Sequence, residues 1–269
     1  MTGPGGNTDA TKTTSYKVVL PFYGYASFAF FIATALLFLS ISNITTHYFH
    51  PHSLALTHIM ALGWGTMMIL GASHQLVPVL IEGKLFSNKL AFTSFVLAAV
   101  GVPLLCYGFY MFDMGWPAKW GGRFVILAII AYLINVAVSM ARSKHENVHA
   151  VFVFTATLWL LVTALIGLIL VYNFSYPFIR GSSLHYLPLH AHIGVIGWFL
   201  LLIMGVGSRL ISMFLISKYN KPKRLWLIYG LVNVGLVAFI FNFLYAYSKL
   251  IQMISILAIA TAIMLFVNY

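Results

Sequence analysis

The chain has 269 residues, of which 61% are hydrophobic and 7% charged, with a mean hydropathy of +0.95 and a formal net charge of +11. A water-facing shell needs several times that share of charged residues, so a soluble globular protein is excluded and an integral membrane protein is indicated. The positive balance is explained by basic loops beside an anionic leaflet; nucleic-acid binding would need a soluble basic face that this composition does not offer.

Residues 1–17 are rich in Gly, Thr and Asn and precede a span too long for a signal-peptide core, so a disordered cytoplasmic tail is expected. Eight stretches then each supply the roughly 20 mainly apolar residues that cross the hydrocarbon. They fall at 18–43, 54–80, 90–111, 123–142, 149–172, 188–216, 225–246 and 250–269. The predicted fold is all-α, a polytopic membrane helix bundle of about eight transmembrane helices joined by short loops. With the N-terminus inside, one side collects Lys12, Lys17, Lys84, Lys89, Arg142, Lys144, Lys218, Lys221, Lys223 and Arg224, and the other only Lys119, Arg123, Arg180 and Lys249. The positive-inside bias therefore places the N-terminus in the cytoplasm, as in a bacterial-type inner membrane.

The loop after span one reads His47-Tyr48-Phe49-His50-Pro51-His52, with three histidines on the outer side. Such a group can hold copper or zinc, and a polar interfacial loop has the same look, since no Cys or carboxylate joins it. Span two opens on His58-Ile59-Met60-Ala61-Leu62-Gly63-Trp64, and span six repeats the pattern as His192-Ile193-Gly194-Val195-Ile196-Gly197-Trp198, a step of 134 residues. Fixed spacing of His, Gly and Trp is harder to obtain by chance than a match between apolar runs. The step divides the chain into two four-helix repeats, 18–148 and 149–269. Each has an even number of spans, so the copies run parallel about an axis along the membrane normal. The end at Tyr269, straight after an apolar run, leaves open a third unit outside this sequence. In span three, Cys106 is the only cysteine, which rules out an intrachain disulfide and a thiolate cluster.

The chemistry available is that of imidazole. Neutral histidine ligates haem iron, copper or zinc, and Gly63 and Gly197, five residues beyond His58 and His192, are expected to leave room for a flat macrocycle. Trp64 and Trp198 recur within the motif and are expected to pack against a neighbouring helix or the macrocycle. His190 lies two residues before His192, pointing roughly 200° away on a helix. With Pro188 taken as the helix start it ranks below His192 as a ligand, and His185 falls in a solvated loop. His74 is sixteen residues past His58, a rise of about 24 Å and a rotation of about 160°, so it would serve a second haem or a quinone at the inner side, or only pack there. Arg209, in the repeat position of Gln75, is expected to snorkel to the headgroups or to pair with a haem propionate or an anionic lipid.

The acids Asp9, Glu82, Asp113 and Glu146 all fall in the tail or loops. This disfavours a carboxylate proton relay, a di-iron carboxylate site and carboxylate-based hydrolysis. No phosphate-binding glycine loop, HExxH or GxSxG is present.

Parallel four-helix units with a histidine near the outer end of the second helix of each resemble the haem-copper oxidase subunit I superfamily and its NnrS-like relatives. The resemblance covers essentially the whole chain and matches two of the family's three four-helix arcs, whose metal ligands lie on helices two, six and ten. It implies that His58 is similar to the helix-two ligand of a low-spin haem, and that His192, or less readily His190, is similar to the helix-six copper ligand. The chain departs from the pattern in three places. Ile196 and Gly194 stand where a redox tyrosine often follows the copper histidine. The connection Tyr245-Ala246-Tyr247-Ser248-Lys249 lacks the expected copper histidine pair, and no helix ten is present.

The expected function is therefore a membrane haem-binding protein, haem b first and copper as a further option, for electron transfer or diatomic gas handling without a complete oxygen-reducing centre. Its expected partners are the lipid bilayer, other membrane subunits and an electron donor such as cytochrome c or quinol, with no nucleic acid. Two alternatives stand: a subunit or fragment of an active oxidoreductase of the cytochrome oxidase or nitric oxide reductase type, and a cofactor-free membrane scaffold or assembly subunit.

Overall fold

The structure, a computed structural model, describes residues 14–143, 147–217 and 221–269. Most of the predicted tail, with Asp9 and Lys12, and also Lys144, Glu146 and Lys218, lies outside the described residues. Eight helices are long and apolar enough to cross a membrane: α1 (Tyr16–Leu39), α2 (Pro51–Leu80), α3 (Asn88–Tyr110), α4 (Trp116–Ala141), α5 (Val148–Ser175), α6 (Ser183–Phe214), α7 (Pro222–Ala246) and α8 (Lys249–Val267). Among the described residues there is no strand. The chain is an all-α polytopic bundle, and lipid surrounds it. The face on which α1 begins is called the near face and the opposite one the far face.

The helix starts follow from local chemistry. Ser15, Ser87, Asn147 and Ser182 accept a bond from a backbone N–H of the first turn of α1, α3, α5 and α6, and His50 does the same for α2. α4 and α7 instead carry proline in the first turn, where a missing N–H costs nothing. The Ser182 cap starts α6 five residues before Pro188, which therefore lies inside the helix and not at its beginning. His185 accordingly sits in the first turn of α6, exposed and against Phe243 at 5.2 Å between ring centroids.

The two halves repeat in detail. α2 loosens into a π-helical stretch over Ile59–Thr66, immediately after His58, and α6 does so over Ile193–Leu200, immediately after His192. Both bounds keep the 134-residue step. Small residues let α1 cross α2 and α5 cross α6 closely: a Cβ on Gly71 would meet Phe22 and one on Gly63 would meet Ala29, while Gly205 faces Phe152 and Gly197 faces Trp159. The partners on α1 and α5 are 130 residues apart, so the four-residue difference is absorbed between the paired helices and the packing is the same. Within each unit the last two helices also pair closely: Gly121 of α4 lies on the α3 backbone at Leu105, and Ser255 of α8 donates to the Gly235 carbonyl of α7.

The units join through α4 against α5, where Gly122 meets Leu168, and through α2 against α6, where Trp198 Nε1 donates to Thr66 Oγ1 at 3.2 Å. That bond links the two π-helical stretches. Below it lies a closely packed centre containing Phe22, Met67, Leu70, Tyr132, Phe152 and Met204, all with essentially no exposed surface.

Candidate functional site

Far of this centre, α2 to α6 enclose a cavity of about 310 Å³, within the size range of small-molecule sites. Its walls are almost wholly apolar. Leu54 and Ala61 come from α2, Phe109 from α3, Val125 from α4, Leu160 from α5, and Trp198 forms the floor from α6. Small residues widen it at Gly122, Ala164, Gly167 and Gly194.

Two imidazoles face into this cavity, His58 and His190. Their ring centroids are 6.3 Å apart and their planes are within 18° of parallel. Each ring is held by one nitrogen on a backbone carbonyl: His58 Nδ1 on Leu54 O at 2.8 Å, and His190 Nδ1 on Thr163 O at 3.0 Å. A neutral imidazole bonded this way donates from Nδ1, which leaves the lone pair on Nε2. Neither Nε2 has a hydrogen-bond partner among the described residues. Phe109 packs on the His58 ring at 4.6 Å, and Gly167 makes room for His190, since a Cβ there would lie 2.9 Å from its Cε1. Ser53, one turn before His58, also lines the cavity, and its buried hydroxyl has no partner.

His192 is not in this cavity. It is exposed, its Nδ1 bonds to Pro188 O at 2.8 Å, and its ring stacks on Phe239 of α7 at 4.6 Å. These contacts repeat those of His58 with Leu54 and Phe109, so the motif histidines are equivalent in their own units. They differ in what lies opposite. α6 of the second unit covers His58, whereas among the described residues no further unit covers His192. The residue that faces His58 is His190, in the second turn of α6 and on the other side of that helix.

The remaining expected residues fall elsewhere. Gly63 and Gly197 are buried against α1 and α5 and serve helix packing; neither opens onto the cavity. Trp64 is exposed and packs at a tilt against Phe30 at 5.1 Å, while Trp198 is buried and does reach the cavity. His74, near the other end of α2, is enclosed between the rings of Phe22 and Tyr132, each 5.2 Å away, with Nδ1 on Leu70 O. That packing leaves no face for a macrocycle or a quinone ring. Arg209 lies seventeen residues beyond His192, about 25 Å along α6. It is at the near face beside His149, which bonds to Gly205 O and Ser208 Oγ, and so cannot reach a group held by His58. In the far loop, His50 Nδ1 caps α2 and His47 Nδ1 accepts from Phe49 N, each closing a turn, while His52 Nδ1 bonds Asn43 nine residues earlier. Among the described residues no group of three or more His, Cys, Asp or Glu converges as a metal site.

Gly167 and Thr163 are the functional residues that the sequence did not single out. They sit one turn apart on α5, where one passes under the His190 ring and the other anchors it. Their only sequence signal is a small residue four positions after a threonine, which is common in membrane helices. No protein-family model, curated protein or solved structure matches the chain.

Proposed function

We propose that His58 and His190 would hold a haem, b type on present chemistry, and that the protein transfers electrons across this site. The observation that carries the reading is the opposed imidazole pair. Two imidazoles that would share one metal-bearing group must stand several ångströms apart with room between them. The separation here is 6.3 Å. The fixed Nδ1 atoms orient both rings and raise the basicity of the nitrogens left free, as backbone carbonyls do at metal-bound histidines. Two protein ligands are too few for a copper or zinc centre built from side chains alone, and they are the number that a macrocycle with four donors of its own requires. The apolar wall around the pair excludes water and sets the potential through its low polarity.

When bound, the haem supplies one-electron redox chemistry, and the protein binds it, orients it and keeps it dry. With one histidine offered from each of two helices, these residues would favour electron transfer over gas binding. The excess of basic residues on the near face supports a cytoplasmic near face and N-terminus, with the site in the outer half of the membrane.

The test is the visible spectrum of the purified protein, supplied with haem during expression, together with single alanine variants. A Soret band with the split visible bands of a six-coordinate low-spin haem is expected, lost in His58→Ala and His190→Ala and kept in His192→Ala. Absence of the band from the parent protein, or its loss only in His192→Ala, overturns the reading.

A further inference from the structure

We infer that Lys119 and Arg123 form a receptor for carboxylate groups at the far mouth of the cavity, and that these are the carboxylates carried on the edge of the cofactor. The inference rests on the haem reading and names the polar contacts that an apolar cavity otherwise lacks. On α4, Lys119 lies three residues before Gly122, so it stands one turn farther out on the same face. On α5, Ser175 lies four residues beyond Val171 and occupies the matching place. Lys119 Nζ donates to Ser175 Oγ at 2.8 Å, bridging the two helices one turn beyond the residues that line the cavity. Tyr172 and Tyr176 flank the ammonium at 5.2 and 5.0 Å from their ring centres. Beside it, the Arg123 guanidinium lies 4.6 Å over the Trp120 ring and bonds the Tyr172 hydroxyl.

Two cations four residues apart on one helix repel each other, and here they share one tyrosine. No carboxylate among the described residues bonds to either. Asp113, the acid of the preceding turn, accepts from Gly115 N instead. Both cations are half-buried in an aromatic setting of low polarity, where an unmatched pair of like charges is unfavourable and two incoming carboxylates are strongly held. Ser53 Oγ, buried and unpartnered on the α2 side of the cavity, adds a donor from the opposite wall.

The experiment compares haem with its dimethyl ester, which has the same ring and metal without the two negative charges. Apoprotein in nanodiscs of phosphatidylcholine is titrated with each and followed in the Soret region. The parent protein is expected to bind the free acid about tenfold or more tightly than the ester. The double variant Lys119→Met/Arg123→Gln is expected to bind the two equally, with its low-spin spectrum intact and its midpoint potential shifted negative by the loss of positive charge. Equal affinity of the parent for acid and ester overturns the inference while leaving the histidine site standing. Failure of the parent to bind either one overturns both. If the double variant still prefers the acid, but anionic phosphatidylglycerol stabilises the parent and not the variant, the receptor serves lipid phosphate and the inference is wrong. Using the ester with the parent protein keeps the test valid even if the double variant folds poorly.

Discussion

At the scale of single residues, the site depends on which side of a helix a histidine occupies. The repeat identified His58 and His192 as counterparts, and their identical carbonyl and phenylalanine contacts show that this was legible. It did not indicate which of the two adjacent histidines on α6 meets His58. Counterparts in a parallel repeat face the same direction within their own units, so the residue opposite one of them comes from the other flank of the next unit's helix. His190 occupies that flank, and it has no histidine at its repeat position, which is Leu56. The space it occupies is made by Gly167. Replacing Gly167 with Val pushes the ring off its place over α5, because even a Cβ lies 2.9 Å from Cε1. The expected result is loss of low-spin absorbance with little change in thermal stability, read by spectrum and melting curve together. Gly167→Val with full absorbance would show that His190 is not held as described.

At the scale of helices, close crossings are made by glycine, and the predicted effects depend on what each one faces. A Cβ on Gly205 would lie 2.3 Å from the Phe152 Cβ, whereas Gly230 on α7 has nothing within 4 Å. Gly205→Ala is therefore expected to destabilise by about 1–3 kcal/mol through overpacking. Gly230→Ala is expected to be neutral or to stabilise by up to about 1 kcal/mol, since it only removes the helix penalty of glycine. Thermal unfolding in detergent checks both, and equal effects would contradict the crossing geometry. Hydropathy made the eight spans legible, with ends off by a few residues, because crossing hydrocarbon demands a long apolar run whatever its neighbours. The π-helical stretches were not legible, since they depend on tertiary packing and not on composition. The start of α6 was misjudged because Pro188 resembles a first-turn proline until the Ser182 cap is seen.

At the scale of the molecule, basic residues among the described ones divide unequally between the two faces, seven against four, with Arg209 inside a helix end. Cysteines introduced at Lys84 and Lys221 are expected to react only from the cytoplasmic side, and one at His47 only from outside. The natural background is silent, because Cys106 is buried. Reaction of the Lys221 position from outside would reverse the orientation and place the cavity toward the cytoplasm. The glycines of the repeated motif look from the sequence like space for a ligand, but in the folded molecule they carry the joint between α1 and α2 and between α5 and α6.

The depth of the cavity also has an electrical meaning. His58 is the eighth residue of a thirty-residue helix, about 10 Å from its far end and about 33 Å from its near end. An electron delivered from the far face to the proposed haem would cross roughly a quarter of the membrane field, which corresponds to about 0.5 kcal/mol per 100 mV, against about 2.3 for the full width. A donor on that side would find the site nearly indifferent to membrane voltage. With the near face cytoplasmic and negative, an electron from that side would instead be driven outward by most of the field, so the position of the proposed pair along its helices would set how far passing an electron here discharges the membrane.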